Sequence, residues 1–87
     1  MEIGKVVGSV WATRKVEEIT GQKLLVIDLI KNRNDEQEQL IVAADVIGAG
    51  IGDLVLLSKG YSARLVAGDK KAIDAAIVGI VDSVEMR

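Results

Sequence analysis

The stretch VIGAGIGDLVLLSKGYSARL, Val46 to Leu65, decides how the chain is read. Glycine stands at Gly48, Gly50 and Gly52, an aliphatic run follows, and Gly60 precedes Tyr61, Ser62, Ala63 and Arg64. A dinucleotide fingerprint needs G-x-G-x-x-G opening a helix after a strand. Here the spacing is G-x-G-x-G, and the next residues, Asp53 to Ser58, form a Leu/Val run suited to a strand. No Gly-Lys-Ser/Thr follows, so a P-loop is excluded as well. The glycines therefore read as a tight turn between strands, where backbone approaches backbone. Asp45 and Asp53 flank that turn, and their expected work is hydrogen bonding to turn and strand-end amides. Tyr61 to Gly68 suits a short helix, with Ser62 as its cap and Gly68 as its stop.

Outward from this stretch, the chain alternates strands and punctuation. Glu2 to Thr13 reads as a long curved strand, apolar on both faces, with Gly4 and Gly8 allowing a bend or a close backbone approach. Arg14 to Gln22 is polar and reads as a loop. Lys23–Lys31 and Leu40–Val46 read as two strands of a hairpin around the polar turn Asn32–Gln39. Ala75 to Val84 reads as the last strand, since Val, Ile and Gly79 make a poor helix interior. Five strands and one short helix without β-α-β spacing point to an all-β fold. The expectation is a small, five-stranded OB-like barrel, closed or partly open, occupying residues 1–87 as a single domain.

Composition narrows the function. The 87 residues contain neither cysteine nor histidine, so disulfides, thiolate metal sites and the commonest general base are absent. No spaced carboxylate cluster suggests a metal or cofactor, and Asp74 and Asp82 sit at opposite ends of a predicted strand rather than facing each other. An enzyme is not expected. The net charge of -2, dispersed cations and only two aromatics, Trp11 and Tyr61, argue against nucleic-acid binding. No apolar run is long enough for a membrane span, and no signal peptide is visible, so a cytoplasmic protein is expected. A chain this small with 49% hydrophobic residues must crowd its core or line contacts, and self-association is the expected outlet. Trp11 and Tyr61 each suit a core or an interface anchor. Arg64 suits either solvent or a carboxylate across a subunit boundary.

Three segments carry a resemblance. They are Ile3–Val10; Ala44–Leu56 continuing into Gly60–Arg64; and Asp74–Asp82, with Leu24 and Leu25 in the second strand. Together they span nearly the whole chain, in order. The chain resembles the small pentameric vertex proteins of bacterial microcompartment shells, the EutN/CcmL type. The resemblance implies an OB-like barrel reused for assembly, with five copies closing a ring at a five-fold vertex of a polyhedral shell. Hexagonal shell proteins would be the neighbours, and neither catalysis nor a cofactor is implied. The alternative is a small OB-like module binding a nucleic acid or a protein partner.

On this reading, Gly48, Ala49, Gly50, Ile51, Gly52, Tyr61, Ser62, Ala63 and Arg64 are the expected subunit-interface residues. Lys59, Gly60, Tyr61 and Ser62 are the candidates for the rim of a central opening. A bulky residue at Gly50 or Ala63 is expected to dissociate the ring. The chain departs from its look-alikes at Tyr61, where a small residue is common, and at Lys71-Ala72-Ile73, where many carry a proline. Tyrosine can narrow an opening or fill an intersubunit groove.

Overall fold

A computed structural model describes residues 1–11, 17, 21–30, 38–60, 63, 66–67 and 73–83. Five strands run through it: β1 (Glu2–Val10), β2 (Leu24–Leu29), β3 (Leu40–Asp45), β4 (Leu54–Lys59) and β5 (Ala75–Ile80). They close a barrel in the order β1-β2-β3-β5-β4. Every neighbouring pair is antiparallel except β3 with β5, which is parallel. The expected barrel is thus closed, and the expected β2–β3 hairpin is present. The first strand ends at Val10, short of Thr13, and the last described strand residue is Ile80.

Alternation of side chains builds the wall. In β2, Leu25, Ile27 and Leu29 point into the barrel while Leu24, Val26 and Asp28 lie half-buried outside. Val6, Ile27, Val55, Leu57 and Ile77 are fully buried and fill the centre. Burying each such side chain contributes about 1.5–3 kcal/mol. Two irregularities bend the wall, one in β1 between Val6 and Gly8, the other in β4–β5 at Leu56/Leu57. Bulges increase strand twist, which closure of so small a barrel requires.

Gly4 has a spatial reason. A Cβ there would overlap the Ile27 Cγ2 methyl and stand 3.0 Å from the Asp28 carbonyl oxygen. The close approach expected of this strand is therefore real at Gly4. At the β3–β5 seam, alanines serve both faces. Ala43 and Ala75 belong to the main core, whereas Ala44 and Ala76 join Ala63 and Ile73 in a second cluster outside the sheet. Of the expected helix Tyr61 to Gly68, the described residues Ala63, Val66 and Ala67 are helical, and no helix is delimited among the described residues. The remainder of that segment lies outside the described residues.

Candidate assembly surface

The glycine turn connects β3 to β4 at one end of the barrel. Its anchor is Asp45, the last residue of β3, whose side chain is fully buried. Asp45 Oδ1 accepts from the amides of Ile47 and Gly48, each at 3.1 Å. Asp45 Oδ2 faces the Lys23 ammonium at 3.1 Å. Lys23 stands opposite Asp45 at the end of the hairpin, where the Asp45 amide donates to the Lys23 carbonyl at 2.9 Å. The same ammonium donates to the Ala49 carbonyl at 3.0 Å, bridging the start and the middle of the turn.

Burial pushes the Asp45 carboxyl upward. The Lys23 ammonium, by hydrogen bonding and charge, together with the backbone amides of the turn outweighs burial and holds it below the ordinary carboxylate value of 3.8.

The second half of the turn is tied by Asp53. Its Oδ2 accepts from the Gly50 amide at 2.8 Å, and its own amide donates to the Gly50 carbonyl at 3.0 Å. Gly52 is the third residue of this four-residue turn and has φ 92°, the left-handed value that a type II turn demands there. Gly48 likewise has φ 85°. The turn is stitched to β1 through Gly52 N to Val6 O at 2.8 Å and Val6 N to Asp53 O at 2.9 Å. The expected work of Asp45 and Asp53 is what their contacts show. Lys23 escaped the sequence reading. It lies far from Asp45 along the chain, and only the strand register places the two opposite each other.

The nine expected interface residues do not share one environment. Gly48, Gly50, Ile51 and Gly52 are exposed on the turn. Ala49 and Ala63 are 1% and 0% exposed, so their side chains belong to the two cores of their own subunit. A bulky residue at Ala63 would strike Ala44, Ile73 and Ala76 before reaching any neighbour. Tyr61, Ser62 and Arg64 lie outside the described residues. Of the four expected at a central opening, Lys59 and Gly60 are described and exposed. The Lys59 ammonium stands 3.3 Å from Glu2 Oε1. The Gly60 amide donates to the Asp74 carbonyl at 2.7 Å. Trp11 is 89% exposed, which takes it out of the core.

Several other exposed side chains are apolar. The outer face of β2–β3 carries Val26 against Val42, with Leu40 nearby, and Val42 and Leu40 are largely exposed. On the opposite side of the barrel, Ile3, Leu56 and Gly79 lie in one row across β1, β4 and β5. Among the described residues no group of three or more acids could hold a metal ion. The hollow lined by Met1, Glu2, Leu29, Ile30 and Gln39 offers one carboxylate, that of Glu2, rather than a facing pair.

Several known proteins are similar to this chain in sequence and shape. The family model described as ethanolamine utilisation protein EutN/carboxysome matches residues 1–82. The bacterial microcompartment shell vertex protein GrpN of Rhodospirillum rubrum is 45% identical over 86 residues, covering 98% of this chain and 97% of that protein. The carboxysome shell vertex protein CcmL of Gloeobacter violaceus is 41% identical over 87 residues, covering 99% of this chain and 87% of that protein. The solved structure of GrpN, described as a pentameric microcompartment shell protein, superposes with a TM-score of 0.87 at 42% identity, covering both chains fully (100% and 100%). That of Gloeobacter violaceus CcmL superposes with a TM-score of 0.85 at 43% identity, over 99% of this chain and 90% of that one.

Proposed function

The chain belongs to the EutN/CcmL family, and from that premise we infer that it is a structural vertex protein of a bacterial microcompartment shell, working as a homopentamer. It acts in the shell, within the cytoplasm. The observation that carries this reading is likeness to a pentameric shell protein along the full length of both chains. It favours a vertex protein over an OB-like module for a nucleic acid or another partner. The role is mechanical rather than catalytic.

The barrel suits a ring. Cyclic symmetry sets one face of each copy against a different face of the next. The outer faces of β2–β3 and of β4–β5 are unlike and lie on opposite sides of the barrel, the first carrying Val26, Leu40 and Val42 beside Asp28, the second the half-buried Leu54 and Leu56. Gly8 in β1 lies beside Val26 of β2 and Gly79 in β5 beside Leu56 of β4, so the outer surface is locally shallow at both places. Exposed aliphatic surface of this kind is costly in water and is offset when a neighbour covers it.

Its neighbours in the shell are hexagonal proteins. A sheet of hexagons closes into a polyhedron only where five-fold units interrupt it, and this chain supplies that unit. Two measurements test the reading. Native mass spectrometry should give five copies of the 9.3 kDa chain. Co-production with a hexagonal shell protein should give closed particles by electron microscopy, and open sheets or tubes without this chain. A purified protein that stays monomeric at high concentration contradicts the ring. A ring that never changes the outline of the sheets contradicts the vertex role.

A further inference from the structure

The barrel is closed unevenly. The β2–β3 ladder runs from Leu24↔Ala44 to Asp28↔Leu40, and the β4–β5 ladder from Val55↔Ile80 to Lys59↔Ala75. By contrast, β3 meets β5 only at Ala44↔Ala76 and Asp45↔Ile77. This is also the parallel pair, and parallel pairing is slightly less stable per residue. The side chains that border the seam are small. Ala44 and Ala76 join the outer cluster, while Ala43 and Ala75 face the main core. Alanines bury less apolar area across the seam than Ile27, Val55 and Leu57 bury along the other ladders.

The bonds on either bank stay clear of the seam. The Asp45 amide donates to the Lys23 carbonyl, Oδ2 faces the Lys23 ammonium, and Oδ1 accepts from Ile47 and Gly48. On the other bank, the Gly60 amide donates to the Asp74 carbonyl at 2.7 Å and ties the entry of β5 to the exit of β4. None of these bonds has to break for β3 to part from β5. Over the seam lies a cover. Ala63 and Ile73 are buried together with Ala44 of β3 and Ala76 of β5. Both are rooted on the β4–β5 bank, because the Ala63 amide donates to the Gly60 carbonyl at 3.1 Å and Ile73 adjoins Asp74. They reach from one bank and pack on the other.

We propose that the β3–β5 seam is a built-in opening line of the barrel, and that Ala63 and Ile73 are the latch that holds it shut. Proteins open locally where a boundary carries few hydrogen bonds and little buried apolar area. Parting here leaves a continuous sheet in the order β3-β2-β1-β4-β5, with β1 and its irregularity between Val6 and Gly8 in the middle. The outer face of β2–β3 then turns about β1 relative to that of β4–β5, and neither ladder unfolds. The device belongs to the single chain and is independent of how many copies assemble.

The test is hydrogen exchange read by NMR on the full-length chain as it assembles. The amides of Ala44 and Ile77 at the seam should exchange at least about tenfold faster than those of Leu25 and Ile27 in the β2–β3 ladder. Their rates should depend weakly on urea, because a local opening exposes little new surface. Ile73→Ala trims the latch and should speed exchange at Ala44 and Ile77 about tenfold more, with an unchanged β spectrum by circular dichroism. If Ile73→Ala fails to fold, Ile73→Val carries the same comparison with a severalfold effect. The chain has no cysteine, so Ala44→Cys and Ala76→Cys together place a single pair of thiols across the seam. Neighbouring strands lie about 4.8 Å apart, within the reach of a disulfide. Oxidation should slow the Ile77 amide to the ladder rate, and reduction should restore it. Equal exchange at seam and ladder overturns the opening line. Exchange left unchanged by trimming Ile73 overturns the latch.

Discussion

The inner wall of the barrel at β1 and the turn at its rim use glycine in opposite ways. At Gly4 the demand is spatial, because Ile27 and the Asp28 carbonyl occupy the place of a side chain. At Gly52 no described atom would stand within 4 Å of an added Cβ, and the demand is conformational, because the backbone sits at φ 92°. Gly50, two residues earlier, meets neither demand among the described residues. Wall and rim thus answer to different masters. The wall is determined by packing within the chain, and the rim by the backbone angle at Gly52.

This contrast can be broken by substitution. The largest effect belongs to the wall. Ile27→Ala empties a fully buried site and should cost about 2–5 kcal/mol of barrel stability. Chemical denaturation read by circular dichroism measures it, and a loss near zero would mean the wall is not closely packed. Gly4→Ala comes next, at about 1–3 kcal/mol, because the new methyl must displace Ile27 or the β2 backbone. Combining it with Ile27→Leu should recover part of the loss, since leucine lacks the Cγ2 methyl that the new side chain meets.

At the rim the expected effects are smaller and differ between neighbours. Gly52→Ala forces a left-handed alanine and should cost about 1 kcal/mol. Gly50→Ala should fall within about 0.5 kcal/mol in chain stability, as an ordinary surface change does. Equal losses at the two positions would erase the distinction drawn between them.

The smallest effect is acid sensitivity. The Asp45 carboxyl is held below 3.8 in the folded chain. Its contribution to stability is complete above the ordinary carboxylate range and is lost as pH falls through the lowered folded value. Thermal unfolding should therefore show a shallower fall in Tm on acidification for Asp45→Asn than for the unaltered chain. Parallel profiles would mean that the Lys23 contact does not stabilise the charged form.

Much of this was legible before any coordinates. β-branched runs broken by glycine marked all five strands, because strand burial repeats every second residue and a two-residue period survives in the letters. Asp45 and Asp53 were legible as turn residues because their partners are three residues away or fewer. Lys23 was not, because its partner arrives through the register of a hairpin. The end of β1 was overrun to Thr13 because Trp11-Ala12-Thr13 has strand composition, and composition carries no signal for where pairing stops.

Local chemistry along the chain thus set the strands, the turn and the lack of thiol and imidazole groups, since each depends on residue type and near neighbours. Folding in three dimensions decided the rest. It made Gly4 a matter of space and Gly52 a matter of angle, and it sank Ala49 and Ala63 into two cores while lifting Ile51 into water. Those outcomes depend on which distant atoms share a volume, and no single position in the chain records that.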